Sequence, residues 1–493
     1  MAIPSYTDFV VHQAQSNPCI WGLSQYLKKA TNSTSRIIFI DLPQNQVKQV
    51  PVRPISAKAE ECVELTTSIP PNVTRLVFVE NITPNIINQI GKSLDIDPLF
   101  FADYITTDFR DLEKQPPPPS LAILPSLISE KPYLHLHYQR ILDLGSSETF
   151  RDSDYVLHTN SNAPRNVRRL VPLSGRQLAL ARANCSILFK RIRSSHIGKA
   201  NRGIPIRYCL TQAGLFLVDR PIDYVLEESG TKQQRTYPAK AMYSGFEDFQ
   251  PAQPFSDFSS GQANQAWDKA SILDSLVHYF CSEQSHCSPS ILSISYYPMR
   301  VVLSEWNLYI HLTSRFSKYY EYSLRDMPAR LHDDDIIDLQ RWRRRCKQSR
   351  HKLALLFQYI NYWEKHENDK ESWILIQKDI DYLRRQLQEY GQSLEQMVTV
   401  ATSMVQLLDS RRSILEAVSV RRLTYIALIF IPLAWVASLF SMSEGFLPGN
   451  EHFWVYFAVS LPLLGLVLSL SALPYEKVLQ VLRSYLDKIQ DTG

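Results

Sequence analysis

Hydrophobic and polar positions along the chain change their spacing near residue 333. Before that point, short runs rich in β-branched and aromatic residues, bounded by polar residues, predict strands. The predicted strands lie at residues 36–42, 73–81, 206–219 and 290–314. Residues 85–105 have helical spacing, and Pro98 is predicted to open a second turn or helix within them. Residues 227–266, rich in Pro, Ser, Gln and Asp, predict a loop-rich insertion.

After residue 333 the pattern is helical. Residues 333–366 predict one helix with aspartates at its start, and a longer seam follows. The seam recurs at alternating gaps of four and three through Ile376, Ile380, Leu383, Leu387, Tyr390, Leu394, Met397, Ala401, Met404 and Leu408. This is a heptad pattern, typical of a coiled coil and also of a long helix packed in a soluble bundle. No stop signal follows it, so one helix is predicted over 376–440.

Two apolar segments near the end of the chain carry no charge. They span residues 423–440 and 453–473, which are 18 and 21 residues long. A bilayer requires about 20 apolar residues of helix, so both segments are predicted to cross a membrane. Pro432 and Pro462 lie inside them, where neighbouring helices can satisfy the freed carbonyls.

Basic residues flank the two apolar segments on one side. They are Arg411, Arg412, Arg421 and Arg422 before the first, and Lys477, Arg483 and Lys488 after the second. The loop between them, 441–452, has Glu444 and Glu451 and no Lys or Arg. The positive-inside rule therefore predicts a two-pass protein with both termini in the cytoplasm. The acidic loop would concentrate cations outside, or is simply a short solvated turn.

Composition excludes several function classes. A net charge of +4 on 493 residues is no signature of nucleic-acid binding, so no nucleic-acid partner is expected. Seven scattered cysteines fit a reducing compartment rather than a disulfide framework. No P-loop, dinucleotide fingerprint or Gly-x-Ser-x-Gly is present, so no enzyme is expected. Two helices cannot enclose an aqueous path, so a channel built from this chain must be a homo-oligomer.

The first apolar segment and the residues after it resemble a known family. The pair Leu423-Thr424, the core Ile-Phe-Ile-Pro-Leu at 429–433, and Met442 resemble the first transmembrane helix of CorA-type magnesium transporters, which include the ZntB group. Residues 94–105 are similar to a helix of that family's N-terminal domain. The chain is identified by this resemblance as a divergent eukaryotic member, of fungal type.

The resemblance implies an architecture. The chain would consist of an α+β cytosolic domain, a long stalk helix and two C-terminal transmembrane helices. Copies of the chain would assemble as a homo-oligomeric funnel, and a pentamer is expected. The predicted parts are the cytosolic domain at 1–330, the helical hairpin and stalk at 331–422, a pore-lining helix at 423–440, an outer loop at 441–452, a second transmembrane helix at 453–473 and a cytoplasmic tail at 474–493. The plasma membrane is the first expectation and an organelle membrane the alternative.

The resemblance also implies which residues face the pore. Offsets from Pro432 predict Ala417, Val420, Leu423, Thr424, Ala427, Ile431, Ala434 and Ser438. The predicted selectivity mouth is Ser441, Met442, Ser443 and Glu444. The family has Gly-Met-Asn there, and its Asn ring accepts hydrogen bonds from the waters of a hydrated ion. The serine side chain is shorter than that of asparagine, although its hydroxyl is also an acceptor. A wider ring of oxygens is therefore expected at the mouth.

The cargo implied is a divalent cation, and no tightly bound cofactor is expected. Magnesium comes first, with zinc, cobalt and nickel as alternatives; lipid and copies of the same chain are the other partners. Asp333, Asp334 and Asp335 could bind a regulatory divalent ion or could simply complement a helix N-terminus. Two functions remain open: divalent-cation transport, and a non-conducting, membrane-anchored interaction or signalling protein of the same architecture.

Overall fold

The structure is a computed structural model of the chain. It describes residues 4–31, 33–43, 53–70, 73–105, 124–150, 153–194, 209–227, 235–246, 249, 254–259, 267–281, 290–325, 333–366, 371–442 and 452–472. Contacts divide the chain into two compact units, Met1–Val398 and Thr399–Gly493. The predicted domain boundaries stay a prediction.

The elements are numbered in chain order. The helices are α1 Tyr6–Ser16, α2 Trp21–Tyr26, α3 Cys62–Thr67, α4 Pro84–Ser93, α5 Pro98–Ile105, α6 Pro125–Glu130, α7 Phe255–Ser259, α8 Ile272–Cys281, α9 Ile291–Arg325, α10 Asp333–His366, α11 Glu371–Phe440 and α12 Trp454–Ala472. The strands are β1 Arg36–Pro43, β2 Ile55–Ala57, β3 Val73–Glu80, β4 Tyr133–Ser146, β5 Val156–Thr159, β6 Asn166–Arg169, β7 Arg176–Ser194, β8 Cys209–Val218, β9 Tyr224–Glu227, β10 Arg235–Pro238 and β11 Lys240–Ala241. The mixed α+β fold of the N-terminal part, with long helices and apolar helices after it, is thus as predicted.

One 11-stranded sheet organises the first unit. Its path runs β10-β9-β5-β6-β7-β8-β3-β1-β2, and β4 lies along the other edge of β7. Among the described strands, the pairings are antiparallel except that of β3 with β8, which is parallel. The 19-residue β7 is the central strand of the sheet. It pairs with β4 along one edge and with β6 and then β8 along the other.

Both faces of the sheet are covered by helices. Because side chains alternate along a strand, Leu76 and Phe78 pack with α8, α9, α10 and the start of α11, while Val77 and Val79 pack with α1 to α5. This double burial explains why β3 is apolar at nearly every position. The predictions for 36–42, 73–81 and 206–219 are confirmed as β1, β3 and β8, and that for 85–105 as α4 and α5.

The predicted strand at 290–314 is wrong, because these residues form α9. β-branched and aromatic residues suggested a strand, but the buried positions follow helical spacing. Val302, Trp306 and Tyr309 are buried at gaps of four and three, as on one face of a helix. Within residues 227–266, the described part contains β10, β11 and α7 rather than loop alone.

The helix predicted over 333–366 and the one predicted over 376–440 are confirmed as α10 and α11. In the first unit the seam is buried at Ile376, Ile380, Leu383, Leu387 and Leu394. These residues belong to the same core as the sheet, so here the seam serves packing within one chain. In the second unit, Met404 and Leu408 are each 36 % exposed.

A buried ion pair ties distant parts of the first unit together. Arg165 donates to both carboxylate oxygens of Asp219 at 2.7 to 3.1 Å. Asp219 also accepts from the Tyr104 hydroxyl at 2.9 Å and from the backbone N–H of Asn184 at 2.8 Å. The Arg165 side chain is 2 % exposed and that of Asp219 12 %, so each charge depends on its partner for solvation.

Candidate functional site

One helix in the described part of the chain is long and apolar enough to cross a membrane. It spans Trp373–Phe440, and its most apolar 18-residue window is 11 % buried. The core helix of a soluble protein would be mostly buried, so this window needs another apolar environment. The second predicted segment forms α12, whose apolar part, Trp454–Ser469, is shorter. A two-pass topology therefore stays a prediction.

Within the second unit, one face of α11 packs against α12. Val436 and Ser460 are each 1 % exposed. The rings of Phe440 and Tyr456 meet edge to face with centroids 6.4 Å apart, and the Tyr456 hydroxyl donates to the carbonyl of Leu433 at 3.5 Å. The small, polar Ser460 inside an apolar run is the sequence signal of this close helix packing.

The predicted pore-lining residues lie on the other face of α11. At 3.6 residues per turn, Ile431, Ala434 and Ser438 lie roughly 140–160° around the helix from Val436. Val420, Leu423 and Ile431 are 62 %, 67 % and 66 % exposed. The remaining predicted positions, Ala417, Thr424, Ala434 and Ser438, are exposed, and Ala427 is half-buried. Their role in a pore stays a prediction, but α12 leaves this face uncovered.

The predicted selectivity mouth begins where α11 ends. The Ser441 amide donates to the carbonyl of Ala437 and its hydroxyl to that of Ser438, each at 2.9 Å. Since the hydroxyl hydrogen is used, the oxygen of Ser441 is left as an acceptor. Met442 is 83 % exposed. Ser443 and Glu444 lie outside the described residues.

The predicted regulatory aspartates lie at the start of α10. The side chains of Asp333 and Asp334 lie outside the described residues, and Asp335 is half-buried. Across the described ranges, no group of three or more His, Cys, Asp or Glu is arranged to hold a metal ion. A regulatory ion at this triplet stays a prediction. Asp338, three residues after Asp335 on α10, is buried and accepts from the Tyr320 hydroxyl at 2.5 Å.

A cavity of about 230 Å³ in the first unit was not predicted. It lies beside β4, with Leu136, Trp306 and Leu356 on its apolar wall. His135 and His137 are two residues apart on β4 and so share one face. Their Nε2 atoms lie 3.4 and 3.8 Å from Oδ2 of Asp103. Burial lowers the pKa of His135 to about 4 although the Asp103 charge opposes this, so His135 is neutral at pH 7.

The comparison with protein families falls on the C-terminal helices. Residues 273–475, from α8 through α12, match the family described as CorA-like Mg2+ transporter protein. This segment is CorA-like. The CorA-like segment includes both predicted transmembrane segments, 423–440 and 453–473. It leaves all the described strands, the last of which ends at Ala241, outside the match.

Two solved structures share an overall likeness with the chain. One is described as the full-length CmaX protein, with 13% identity, coverage of 92% of this chain and 100% of that chain, and a TM-score of 0.36. The other is the complete CorA magnesium transporter from Methanocaldococcus jannaschii, with 9% identity, coverage of 90% and 98%, and a TM-score of 0.37. Likeness at this level supports nothing further about this chain. Among curated proteins, none matches it.

Proposed function

We propose that the chain is a membrane transporter or channel for divalent metal cations, with ions passing along the α11 face that α12 leaves uncovered. The observation that carries this is the exposed apolar window of α11, inside the segment 273–475 that is CorA-like. The family description names Mg2+, which makes magnesium the first cargo to test, with zinc, cobalt and nickel next.

The proposed assembly is a ring of identical chains. A single α11–α12 pair buries Val436 and leaves Ile431 exposed, so one chain has no enclosed path for an ion. Repetition of α11 around an axis would turn the uncovered faces toward each other. A pentamer, with α12 outside and both termini in the cytoplasm, is the arrangement we propose.

A non-conducting, membrane-anchored protein is the second candidate. Ser441 and Ser443 stand where the family resemblance implies Gly and Asn, and Leu423 and Ile431 would give the pore an aliphatic wall. An aliphatic constriction can close by dewetting. In this candidate the first unit would act as an interaction module and α11 only as an anchor.

Ion uptake separates the two candidates. The full chain is reconstituted in vesicles as a verified oligomer, and uptake of magnesium, zinc, cobalt and nickel is followed with an indicator dye. Uptake of at least one ion above that of protein-free vesicles is expected. Absence of uptake for all four ions would refute transport and favour the anchored module.

The mouth is tested by restoring the residues that the resemblance implies. Ser441→Gly with Ser443→Asn should raise magnesium uptake, because carboxamide oxygens hold the waters of a hydrated ion better than serine hydroxyls do. Ser469→Ala, on α12 and away from the proposed pore face, is the matched control. An unchanged rate in the double variant would show that the mouth does not limit transport.

A further inference from the structure

The sequence Arg-Trp-Arg-Arg-Arg at 341–345 gives α10 four arginines within two turns. Three of them, Arg341, Arg344 and Arg345, are spaced i, i+3 and i+4 and share one helix face. Arg343 points elsewhere and pairs with Glu395 on α11. The helix therefore presents Arg341, Arg344 and Arg345 on a different face from Arg343.

Tyr155, just before β5, receives two of these arginines. The guanidinium of Arg341 lies over the Tyr155 ring, 4.1 Å from its centroid. Arg345 donates from Nη2 to the Tyr155 hydroxyl at 2.6 Å and lies over the ring of Trp342, 4.9 Å from its centroid. Two aromatic faces thus hold the guanidiniums in fixed directions.

The sheet supplies a fourth guanidinium to the same place. Arg168 on β6 is paired in register with Val156, the residue that follows Tyr155. Burial lowers the pKa of Arg168, the Tyr155 hydroxyl opposes this, and the positive charges of Arg345, Arg344 and Arg341 lower it further. An arginine remains charged in spite of such a shift. Four positive charges therefore stand together, at a cost in repulsion.

Two donors in this cluster are buried and unused. Nε of Arg168 and Nη1 of Arg345 have no hydrogen-bond partner, and Arg345 is 6 % exposed. Within the described residues, Arg341 reaches the carboxylate of Asp338 at 3.7 Å, whereas Arg168 and Arg345 pair with no carboxylate. A buried charged donor without an acceptor is destabilising, and a bound anion would supply the missing acceptor.

We propose that Arg168, Arg341 and Arg345, with Tyr155 between them and Arg344 at the rim, form a binding site for a phosphoryl group. Arginines arriving from a strand and from a helix offer donors in different planes. A tetrahedral phosphoryl group has oxygens to meet them in different directions, whereas a planar carboxylate does not. The phosphoryl group could belong to free phosphate or to a phosphorylated lipid headgroup.

This site lies in the first unit and does not depend on the proposed transport. Arg343 gives a matched control, because it is on the same helix turn, is exposed, and is already paired with Glu395. Arg168→Gln and Arg344→Gln remove one charge each from the site. Since Arg345 is buried against Trp342, Arg345→Gln risks misfolding, so the two other variants carry the test.

The test is isothermal titration of the full chain in detergent with inorganic phosphate, against chloride at equal ionic strength. Saturable phosphate binding is expected in the wild type and in Arg343→Gln. A charge-assisted hydrogen bond is worth about 1.5–3 kcal/mol, so Arg168→Gln should weaken binding by roughly 10- to 100-fold. Wild-type binding no tighter than that of chloride, or equal losses in Arg343→Gln and Arg168→Gln, would overturn the proposal.

Vesicles distinguish the two sources of the phosphoryl group. The full chain is reconstituted in phosphatidylcholine alone and in phosphatidylcholine containing a phosphatidylinositol phosphate. If the lipid is the ligand, its headgroup occupies the site, so phosphate binding by the wild type is lost only in the vesicles that contain the phosphatidylinositol phosphate. In Arg168→Gln the lipid should then no longer change phosphate binding. If free phosphate is the ligand, its affinity is the same in both. Each result supports the site and assigns its ligand.

Discussion

Val436 and Ile431 lie five residues apart on α11 with opposite surroundings: Val436 is 1 % exposed and Ile431 66 % exposed. Val436 is covered in the unit that contains α12, and Ile431 is on the face that α12 does not reach. An apolar residue with this exposure needs lipid or another protein chain around it. The proposed pore depends on this division of one helix into two faces.

The two faces should respond differently to a polar side chain. Val436→Asn places an amide at a buried position without a partner, which costs about 1–3 kcal/mol. Ala434→Asn places the same amide on the uncovered face and should cost less than half as much. Unfolding in detergent, followed by circular dichroism, measures both. Equal losses would show that the two positions do not lie on distinct faces.

The buried ion pair of Arg165 and Asp219 should contribute more to stability than the exposed pair of Arg176 and Asp143. Arg165→Ala leaves a buried carboxylate without its counter-charge and should lower the free energy of unfolding by about 3–5 kcal/mol. Arg176→Ala is the control, since Arg176 pairs with Asp143 but its side chain is 63 % exposed; its loss should stay below about 1 kcal/mol. Denaturant titration of the full chain gives both values. Similar losses in the two variants would contradict the buried role of Arg165.

The stability of the protein should fall between about pH 4.5 and 7 because of Glu80. Burial raises the pKa of Glu80 from 4.5 to about 7, the charge of Asp274 adds to this, and those of Arg36 and Arg220 oppose it. A raised pKa means that the folded state holds the proton more tightly, so this stabilisation is complete below pH 4.5 and is lost as pH rises to 7. Glu80→Gln keeps the shape without the charge and should be more stable than the wild type above pH 7, by about 3 kcal/mol.

The measurement for Glu80 is the difference in unfolding free energy between Glu80→Gln and the wild type across this pH range. Glu148→Gln, at an exposed glutamate, controls for the loss of one negative charge. A difference that does not change with pH would show that Glu80 titrates at its ordinary value.

The heptad seam makes a prediction about the first unit. Leu383→Ala removes a side chain that is 3 % exposed and should cost about 2–5 kcal/mol, because a cavity remains. Ile374→Ala, on the same helix but at a residue that is 45 % exposed, should cost less than about 1 kcal/mol. Thermal unfolding of the two variants compares them. A tolerant Leu383→Ala would mean that the seam is not packed within the chain.

Local patterns in the sequence were enough for part of the fold. The apolar runs around Leu76 and Phe216 predicted β3 and β8, and Pro98 marked the start of α5. The strand predicted at 290–314 was wrong because residue type was weighed above period; Val302, Trp306 and Tyr309 already had helical spacing. The long strands β4 and β7 were not predicted, although β4 alternates the apolar Leu134 and Leu136 with the polar His135.

The candidate sites also contain features that local sequence patterns predict and features that they do not. The apolar window of α11 could be predicted, because it depends only on consecutive residues. The contact of Tyr456 on α12 with Leu433 on α11 and that of Arg345 with Tyr155 could not be predicted, since they depend on how elements pack. Arg345 and Tyr155 are 190 residues apart in the chain, and no local pattern connects them. The four arginines at 341–345 are adjacent in the sequence, but no local pattern connects them with Tyr155 or Arg168.

The most direct test of the account is magnesium uptake into vesicles in the presence of a water-soluble thiol reagent. Ala434→Cys places a thiol on the uncovered face of α11, Val436→Cys places one on the buried face, and the wild type controls for the seven native cysteines. We predict uptake by all three proteins, with the reagent slowing uptake only in Ala434→Cys. Absence of uptake by a verified wild-type oligomer, or equal slowing in the two variants, would contradict a pore along this face.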